Sequence, residues 1–242
     1  MTDLWLLPEQ AAGAFAERMG GERLLCEEEH ARMARMLMPR RRRQFLAGRL
    51  LCRHALSMRT GHPPDGWQFP VNEYGRPEPS PDGYGVRFNL SHTDGLICCV
   101  VTDGASCGVD VESPLSQESA THVARFFSPS ERSELAALPQ AERAERTTEL
   151  WVLKEAYIKG LGIGGRRDFD GFAFAPRTAA TITVHDPQQP HGSGPGWWFE
   201  LLRTASGHSL AIAVEGGRAD TVHLVDLTDP TSLDEHFAVS GV

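Results

Sequence analysis

The order of the predicted segments constrains the fold most strongly, because a helical region followed by short strands occurs twice. After a first strand at 4–7, the helical pattern at 8–59 precedes strands at 67–71, 86–92, 96–101 and 108–112. A second helix at 145–159 precedes strands at 171–174, 181–184, 197–202 and 209–214. Between the halves, Ser128 as N-cap, Pro129 at the first helical position and Glu131 predict a helix start with a capping box. A Ser/His turn comes before an apolar strand in each half, at Ser91 and at Ser206.

We therefore predict an α+β fold in which two similar halves form a pseudo-two-fold intramolecular dimer. The predicted halves are residues 1–115 and 116–242, with the active site in the cleft between them. Since one chain would already supply both halves of the cleft, we expect a monomer.

Composition excludes several classes of protein. The net charge of −8 argues against a general nucleic-acid-binding protein. No apolar run approaches the ~18 residues of a membrane span, and the N-terminal residues lack the basic start of a signal peptide. The five cysteines show no C-x-x-C spacing, which is typical of reduced thiols. We expect a cytoplasmic protein with no membrane or nucleic-acid partner.

The stretch from Trp151 to Gly162 contains both lysines of a chain that has 22 arginines. A lysine ammonium is a compact point charge, whereas an arginine guanidinium is a wide planar fork. Lys154 and Lys159 beside Glu155 therefore suggest a pocket for a crowded polyphosphate. The alternative is a solvated helix face with an ordinary Glu155–Lys159 pair.

Three carboxylates suggest a metal site. Asp110 and Glu112 alternate on a predicted strand and should face the same side, opposite Val109 and Val111. With Glu155 they would supply three oxygen donors and no His or Cys, a set that suits Mg²⁺, or Mn²⁺. An exposed polar strand face is the alternative for Asp110 and Glu112.

The segment 31–61 concentrates positive charge, because it contains nine arginines and no Asp or Glu. Such a field attracts an anion, although a basic solvated helix surface would look the same. His92 follows Ser91 at a strand end, and Arg76 lies on a predicted turn. There is no Walker loop, G-x-G-x-x-G strand turn or G-x-S-x-G elbow.

Five motifs occur in a fixed order: Gly-Arg-Pro, Asn-x-Ser-His, Gly-Val-Asp-Val-Glu, Phe-Ser-x-x-Glu and Trp-x-x-Lys-Glu-Ala-x-x-Lys-x-x-Gly. Together they closely resemble the 4′-phosphopantetheinyl transferases of the surfactin-synthetase-activating type, over roughly residues 27–213. The resemblance implies a Mg²⁺-dependent enzyme that moves the phosphopantetheine of coenzyme A onto a serine of an apo acyl or peptidyl carrier protein and releases 3′,5′-ADP.

The resemblance also implies roles for individual residues. Asp110, Glu112 and Glu155 fall on the family's metal positions. Glu155, or a metal-bound water near Glu112, would be the general base. Lys154 and Lys159 match lysines that contact the pyrophosphate and neutralise charge as the bond breaks, and Lys159 would also be a catalytic residue.

Further positions match coenzyme A contacts. Arg76, Ser91 and His92 match positions around the adenine and 3′-phosphate. Arg32, Arg41 and Arg49 match basic positions that hold the 3′-phosphate. Arg166 and Arg167 depart from the apolar residues common in relatives, which suggests contact with an acidic carrier protein.

Two other functions remain open on the sequence. One is another Mg²⁺-dependent enzyme that cleaves a nucleotide diphosphate without a carrier protein. The other is a non-catalytic module that binds coenzyme A or a carrier protein. Retention of the three carboxylates and both lysines argues against the module, because binding alone would tolerate their loss.

Overall fold

The computed structural model describes residues 1–164, 167–189, 196–217 and 222–227. Six α-helices occur in these ranges: α1 Ala12–Met19, α2 Glu27–Ala34, α3 Pro39–Thr60, α4 Gln117–Val123, α5 Pro129–Ala137 and α6 Gln140–Leu161. The strands there are β1 Thr2–Pro8, β2 Arg87–Thr93, β3 Leu96–Thr102, β4 Cys107–Glu112, β5 Ala173–Phe174, β6 Val184–His185, β7 Trp197–Arg203, β8 Ser209–Glu215 and β9 Val222–Asp226. The predicted α+β class is confirmed.

The chain divides into two compact units, and the first contains Met1–Asn72, Pro77–Gly104 and the described residues 222–227. Its sheet has the order β2-β3-β1-β9, with antiparallel pairs except for the parallel pair β1–β9. Apolar side chains of α3, among them Leu50, Leu51 and Leu56, pack in one core with Trp5 of β1. Pro39 begins this helix, and Gly61 ends it in the left-handed conformation.

The second unit contains Glu73–Arg76 and the described residues between 105 and 217. Its main sheet is antiparallel, in the order β4-β8-β7. Leu150, Leu153 and Tyr157 of α6 form its core with aromatic residues that include Phe172. The helix ends at Gly162, at a φ of 72°, where the Gly162 N–H donates to two carbonyls of the last turn.

The boundary between the units differs from the predicted one at 115/116. Strand β4 pairs along its whole length with β8, and the main segment of the second unit begins at Ala105. Asp110 and Glu112 therefore lie in the second unit, not in the N-terminal half. Strand β9, from the far end of the described chain, belongs to the first unit because it pairs with β1.

Local predictions had mixed outcomes. The helical region 8–59 is three helices, and the predicted strand at 67–71 forms only isolated bridges, Gln68 with Ser80 and Val71 with Pro77. The capping box at α5 is confirmed: Ser128 accepts from the Glu131 N–H, and the Glu131 carboxylate accepts from the Ser128 N–H. No helix in the described ranges is long and apolar enough to cross a membrane.

Candidate functional site

Glycines allow very close packing on α6: Gly108 brings β4 against the helix, and Gly160 admits a ring from β7. A β-carbon at Gly108 would lie 1.9 Å from the carbonyl oxygen of Ala156 and 2.5 Å from the amide nitrogen of Gly160. A β-carbon at Gly160 would lie 2.6 Å from the ring of Trp197. The absence of a side chain at Gly108 lets the helix backbone lie against the strand, and its absence at Gly160 leaves room for the Trp197 ring.

This contact decides which face of β4 is turned toward α6. Gly108, Asp110 and Glu112 alternate on one side of the strand, and Gly108 is the residue that meets the helix. Val109 and Val111 lie on the other side and are buried. The predicted common orientation of Asp110 and Glu112 follows from this geometry, and both carboxylates lie on the helix side.

Lys159 joins the helix to the acidic strand. Its Nζ donates to Asp110 Oδ1 at 2.6 Å and to the Val109 carbonyl at 3.2 Å. The Asp110 side chain is only 7 % exposed, whereas the Lys159 side chain is 27 % exposed. Lys159 is therefore an ion-pair partner of the carboxylate and can still be reached from solvent.

Glu155, one turn before Lys159, lies in the same electrostatic environment. Burial of its half-buried carboxyl raises its pKa, the negative charges of Asp110 and Glu112 raise it further, and Lys159 opposes them. The charges of Asp110 and Glu112 therefore act on Glu155. Among the described residues, no three His, Cys, Asp or Glu side chains form a ready-made metal cluster.

A cavity of about 720 Å³ opens beside these residues, within the second unit. Glu155 and Lys159 line it, together with apolar and aromatic side chains that include Trp151 and Phe169. Its other lining residues are His122, Val123, Arg125, Phe126, Ile158, Gly164, Arg167, Asp168 and Asp170. A carboxylate and an ammonium at an apolar cavity can bind a polar group and move a proton there.

Lys154, which was predicted to contact the pyrophosphate, is not among the residues that line this cavity. The side chain is fully buried, and Nζ lies 2.9 Å from Glu131 Oε2. It also donates to the carbonyls of Phe169 and Phe172, at 2.7 and 2.8 Å. Burial lowers the pKa of this ammonium, and the charge of Glu131 opposes that effect. The two lysines therefore have different environments.

Arg76 is likewise engaged with the protein. Its guanidinium donates to the carbonyls of Lys159, Gly160 and Cys107, so it holds the C-terminal end of α6 beside the start of β4. Arg167 is buried and pairs with Asp186, which does not fit the predicted contact with a carrier protein. Arg166 lies outside the described residues.

The arginines of the first unit divide by burial. Arg49 and Arg53 are buried and share Glu29 as their ion-pair partner. Arg32 and Arg41 are exposed. The Arg32 guanidinium lies 5.5 Å from the ring centre of Phe45.

Ser91 and His92 follow the alternation of β2. Ser91 is buried, and its carbonyl accepts a long hydrogen bond from Cys98 Sγ on β3. His92 is exposed on the opposite face. Of this pair, His92 is the side chain that a ligand can reach.

Sequence reasoning missed Gly108 and Gly160 as positioning residues and Glu131 as the partner of Lys154. A glycine inside an otherwise apolar strand signals close backbone approach, so Gly108 could have been recognised. Glu131 was predicted as a capping residue, and nothing local indicates that its second role is to neutralise a buried lysine.

Comparison with known proteins agrees with the motifs. The sequence profile described as the 4′-phosphopantetheinyl transferase superfamily matches residues 106–214. The 4′-phosphopantetheinyl transferase HetI of Nostoc sp. is 31% identical over 217 residues, which cover 88% of this chain and 87% of HetI. The 4′-phosphopantetheinyl transferase Sfp of Bacillus subtilis is 30% identical over 180 residues, covering 69% of this chain and 78% of Sfp.

Among solved structures, the holo-[acyl-carrier-protein] synthase of Helicobacter pylori in complex with coenzyme A matches 45% of this chain and 97% of its own. Its sequence identity is 19% and its TM-score is 0.36. The identity and coverage of the sequence relatives decide the assignment: this chain belongs to the 4′-phosphopantetheinyl transferase family, the enzymes that transfer the phosphopantetheine of coenzyme A to carrier proteins.

Proposed function

We propose that this chain transfers 4′-phosphopantetheine from coenzyme A to a serine of an apo acyl or peptidyl carrier protein, releasing 3′,5′-ADP with the help of Mg²⁺. One observation carries the proposal: Asp110 of β4 is paired with Lys159 of α6, and the pKa of Glu155 responds to Asp110, Glu112 and Lys159 together. Glu155 and Lys159 line one cavity, and a carboxylate beside an ammonium suits the transfer of a charged phosphoryl group.

The donor set fits the proposed ion. Asp110, Glu112 and Glu155 would hold Mg²⁺, or Mn²⁺, because both ions prefer oxygen ligands. Since the described residues form no complete metal cluster, water and diphosphate oxygens would complete the coordination. When bound, the ion would neutralise charge on the diphosphate that is cleaved.

Glu155 is the proposed general base. A serine hydroxyl is a weak nucleophile at neutral pH and needs a base to accept its proton. Glu155 lines the cavity, so its carboxylate is placed where it could accept that proton. The serine oxygen attacks the phosphorus that carries the pantetheine arm, and the bond to the 3′,5′-ADP oxygen breaks.

Lys159 is the proposed counter-charge for the departing phosphate. Its side chain lines the cavity, and its ammonium is already beside Asp110. As negative charge develops on the leaving oxygen, a nearby ammonium stabilises the transition state more than the ground state.

The 3′-phosphate of coenzyme A is proposed to bind exposed basic side chains of the first unit. Arg32, Arg41 and His92 are exposed, which supports this assignment for them. The engagement of Arg49 with Glu29 and of Arg76 with backbone carbonyls leaves these two with structural roles. We further propose a cytoplasmic monomer, because all five cysteines are free and one chain supplies both units.

The test is mass spectrometry of several apo acyl and peptidyl carrier proteins incubated with coenzyme A, Mg²⁺ and the protein. We expect a gain in mass of one phosphopantetheine on the acceptor serine, and loss of this gain when a chelator removes the ion. Binding of coenzyme A without any gain on the whole panel would favour the non-catalytic module. Cleavage of coenzyme A in the absence of a carrier would favour a hydrolase.

A further inference from the structure

We propose that Lys154 is a positioning residue that holds one wall of the cavity, and that it does not contact the diphosphate of coenzyme A. This inference rests on the proposed function, because it concerns how the same site is built. The two lysines of α6 would then have different roles: Lys154 positions the cavity wall, and Lys159 contacts the ligand.

The surroundings of Lys154 account for all of its hydrogen-bonding capacity. An ammonium has three N–H donors, and Nζ has three acceptors, Glu131 Oε2 and the carbonyls of Phe169 and Phe172. The ring centre of Phe172 lies 4.1 Å from Nζ. A diphosphate could reach this ammonium only if these contacts were broken.

Glu131 is held as firmly as the lysine. Its carboxylate also accepts from the N–H and the hydroxyl of Ser128, and from the N–H of Phe174. Both side chains are almost completely buried, with exposures of 0% for Lys154 and 1% for Glu131. Removal of one partner would leave the other charge buried without compensation, which is much more costly than removal of both.

The carbonyls that Lys154 holds belong to the turn that forms the cavity wall. Phe169 and Asp170 line the cavity, and the ring of Phe169 meets that of Trp151 edge to face at 5.1 Å. Lys154 precedes Glu155, so one residue of the helix orients the wall while the next presents its carboxyl to the cavity. Loss of Lys154 should displace the wall without removing a ligand of the diphosphate.

The native chain allows a direct test, because it contains only two lysines. Reductive methylation followed by peptide mass spectrometry should modify Lys159 and leave Lys154 unmodified. Addition of coenzyme A should protect Lys159 and change nothing at Lys154. Modification of Lys154 in the free protein, with protection by coenzyme A, would overturn the proposal.

Variants test the role itself. The probe is 3′-phosphoadenosine 5′-diphosphate, which carries the diphosphate without the pantetheine arm. We compare Lys154→Met, the double variant Lys154→Met with Glu131→Gln, and Lys159→Met as the matched control on the same helix. The double variant removes the buried ion pair and should fold where the single variant fails.

In the double variant we expect the dissociation constant of the probe to change by less than about twofold, while kcat for transfer falls by about tenfold. Lys159→Met should raise the dissociation constant of the probe by about tenfold, because a contact with a charged group is lost. If the Lys154 and Lys159 substitutions weakened binding of the probe equally, Lys154 would be a ligand of the diphosphate and the proposal would be wrong. A normal kcat in the folded double variant would show that the ion pair does not position the cavity wall for transfer, and it would also overturn the proposal.

These outcomes are independent of the proposed function. If the wild-type protein modifies no carrier protein, the function fails, whereas methylation and probe binding still decide where Lys154 acts. If the wild-type protein is active and Lys154 behaves as a ligand, the function stands and this inference fails.

Discussion

Gly108 and Ala156 are so close that a β-carbon on the glycine would lie 1.9 Å from the alanine carbonyl oxygen. The contact joins the strand that carries Asp110 to the helix that carries Glu155 and Lys159. Any side chain at Gly108 must push the helix away from the strand. The glycine therefore determines the distance between the acidic residues and the lysine.

We expect Gly108→Ala to lower the free energy of unfolding by about 3 kcal/mol or more, because backbone atoms cannot move aside as a flexible side chain can. Transfer activity should fall even at temperatures where the variant is folded. Urea denaturation and the carrier assay measure the two effects. Gly83→Ala is the control, since a β-carbon there meets nothing within 4 Å. Equal stability of the two variants would show that close packing of α6 against Gly108 does not contribute to the stability of the fold.

Substitution of a carboxylate at the site should lower transfer activity without lowering the stability of the fold. Glu155→Gln removes a group whose pKa is raised by burial and by Asp110 and Glu112, so the free energy of unfolding should stay equal or rise. Transfer should fall by at least about a thousandfold, because the proposed base and one metal ligand are lost. Asp110→Ala should also abolish transfer in a folded protein. Wild-type-like transfer by either variant would contradict the metal assignment.

Lys159→Arg should lose much of the transfer activity although the charge is kept. The Lys159 ammonium fits between Asp110 Oδ1 and the Val109 carbonyl, and a planar guanidinium cannot reproduce that geometry. We expect a loss of about tenfold or more in kcat/KM, which corresponds to about 1.4 kcal/mol of transition-state stabilisation. Unchanged kinetics would mean that any positive charge serves at this position.

The exposed arginines should affect coenzyme A binding without affecting the fold. Arg41→Ala should raise KM for coenzyme A by about tenfold while leaving KM for dephospho-coenzyme A unchanged, because only the former carries the 3′-phosphate. Arg53→Met should instead lower the free energy of unfolding, since Arg53 is buried against Glu29. Equal effects of Arg41→Ala on both substrates would exclude the 3′-phosphate as its partner.

The ion pair of Glu9 and Arg40 should make stability depend on acid pH. Hydrogen bonds from Arg40 lower the pKa of Glu9 from 4.5 to about 2. Because the folded value lies below the unfolded one, the contribution is complete above pH 4.5 and is lost as pH falls toward 2. The difference in unfolding free energy between the wild type and Glu9→Gln should shrink over this range, and a constant difference would contradict the assignment.

Local signals in the sequence predicted local structure well. The Ser128–Glu131 capping box and the common face of Asp110 and Glu112 depend on neighbours within a few residues, and both are as expected. The predicted strand at 67–71 was wrong in extent, because isolated bridges to Ser80 and Pro77 replace a continuous partner strand. An alternating apolar pattern indicates that a segment can form a strand, but it does not show whether a partner strand lies beside it.

The environment of the site residues depended on distant contacts. Lys154 and Lys159 look alike in the sequence, yet one is neutralised by Glu131 inside the core and the other pairs with Asp110 at the cavity. Arg49 and Arg41 differ in the same way, because only Arg49 faces Glu29. The spacing of residues along a helix predicts which side of the helix each one faces. Whether a residue is buried, and which charge it pairs with, depends on other helices and strands that the spacing does not reveal.

The parallel pairing of Thr2 with Val222 makes completion of the first sheet a late event during synthesis on the ribosome. Until residues near 222–226 emerge, one side of β1 exposes unpaired backbone donors and acceptors. Nascent chains that stall or are cleaved before that point would present an open edge to one another. Emergence of β9 should thus complete the first sheet and protect the growing chain from aggregation.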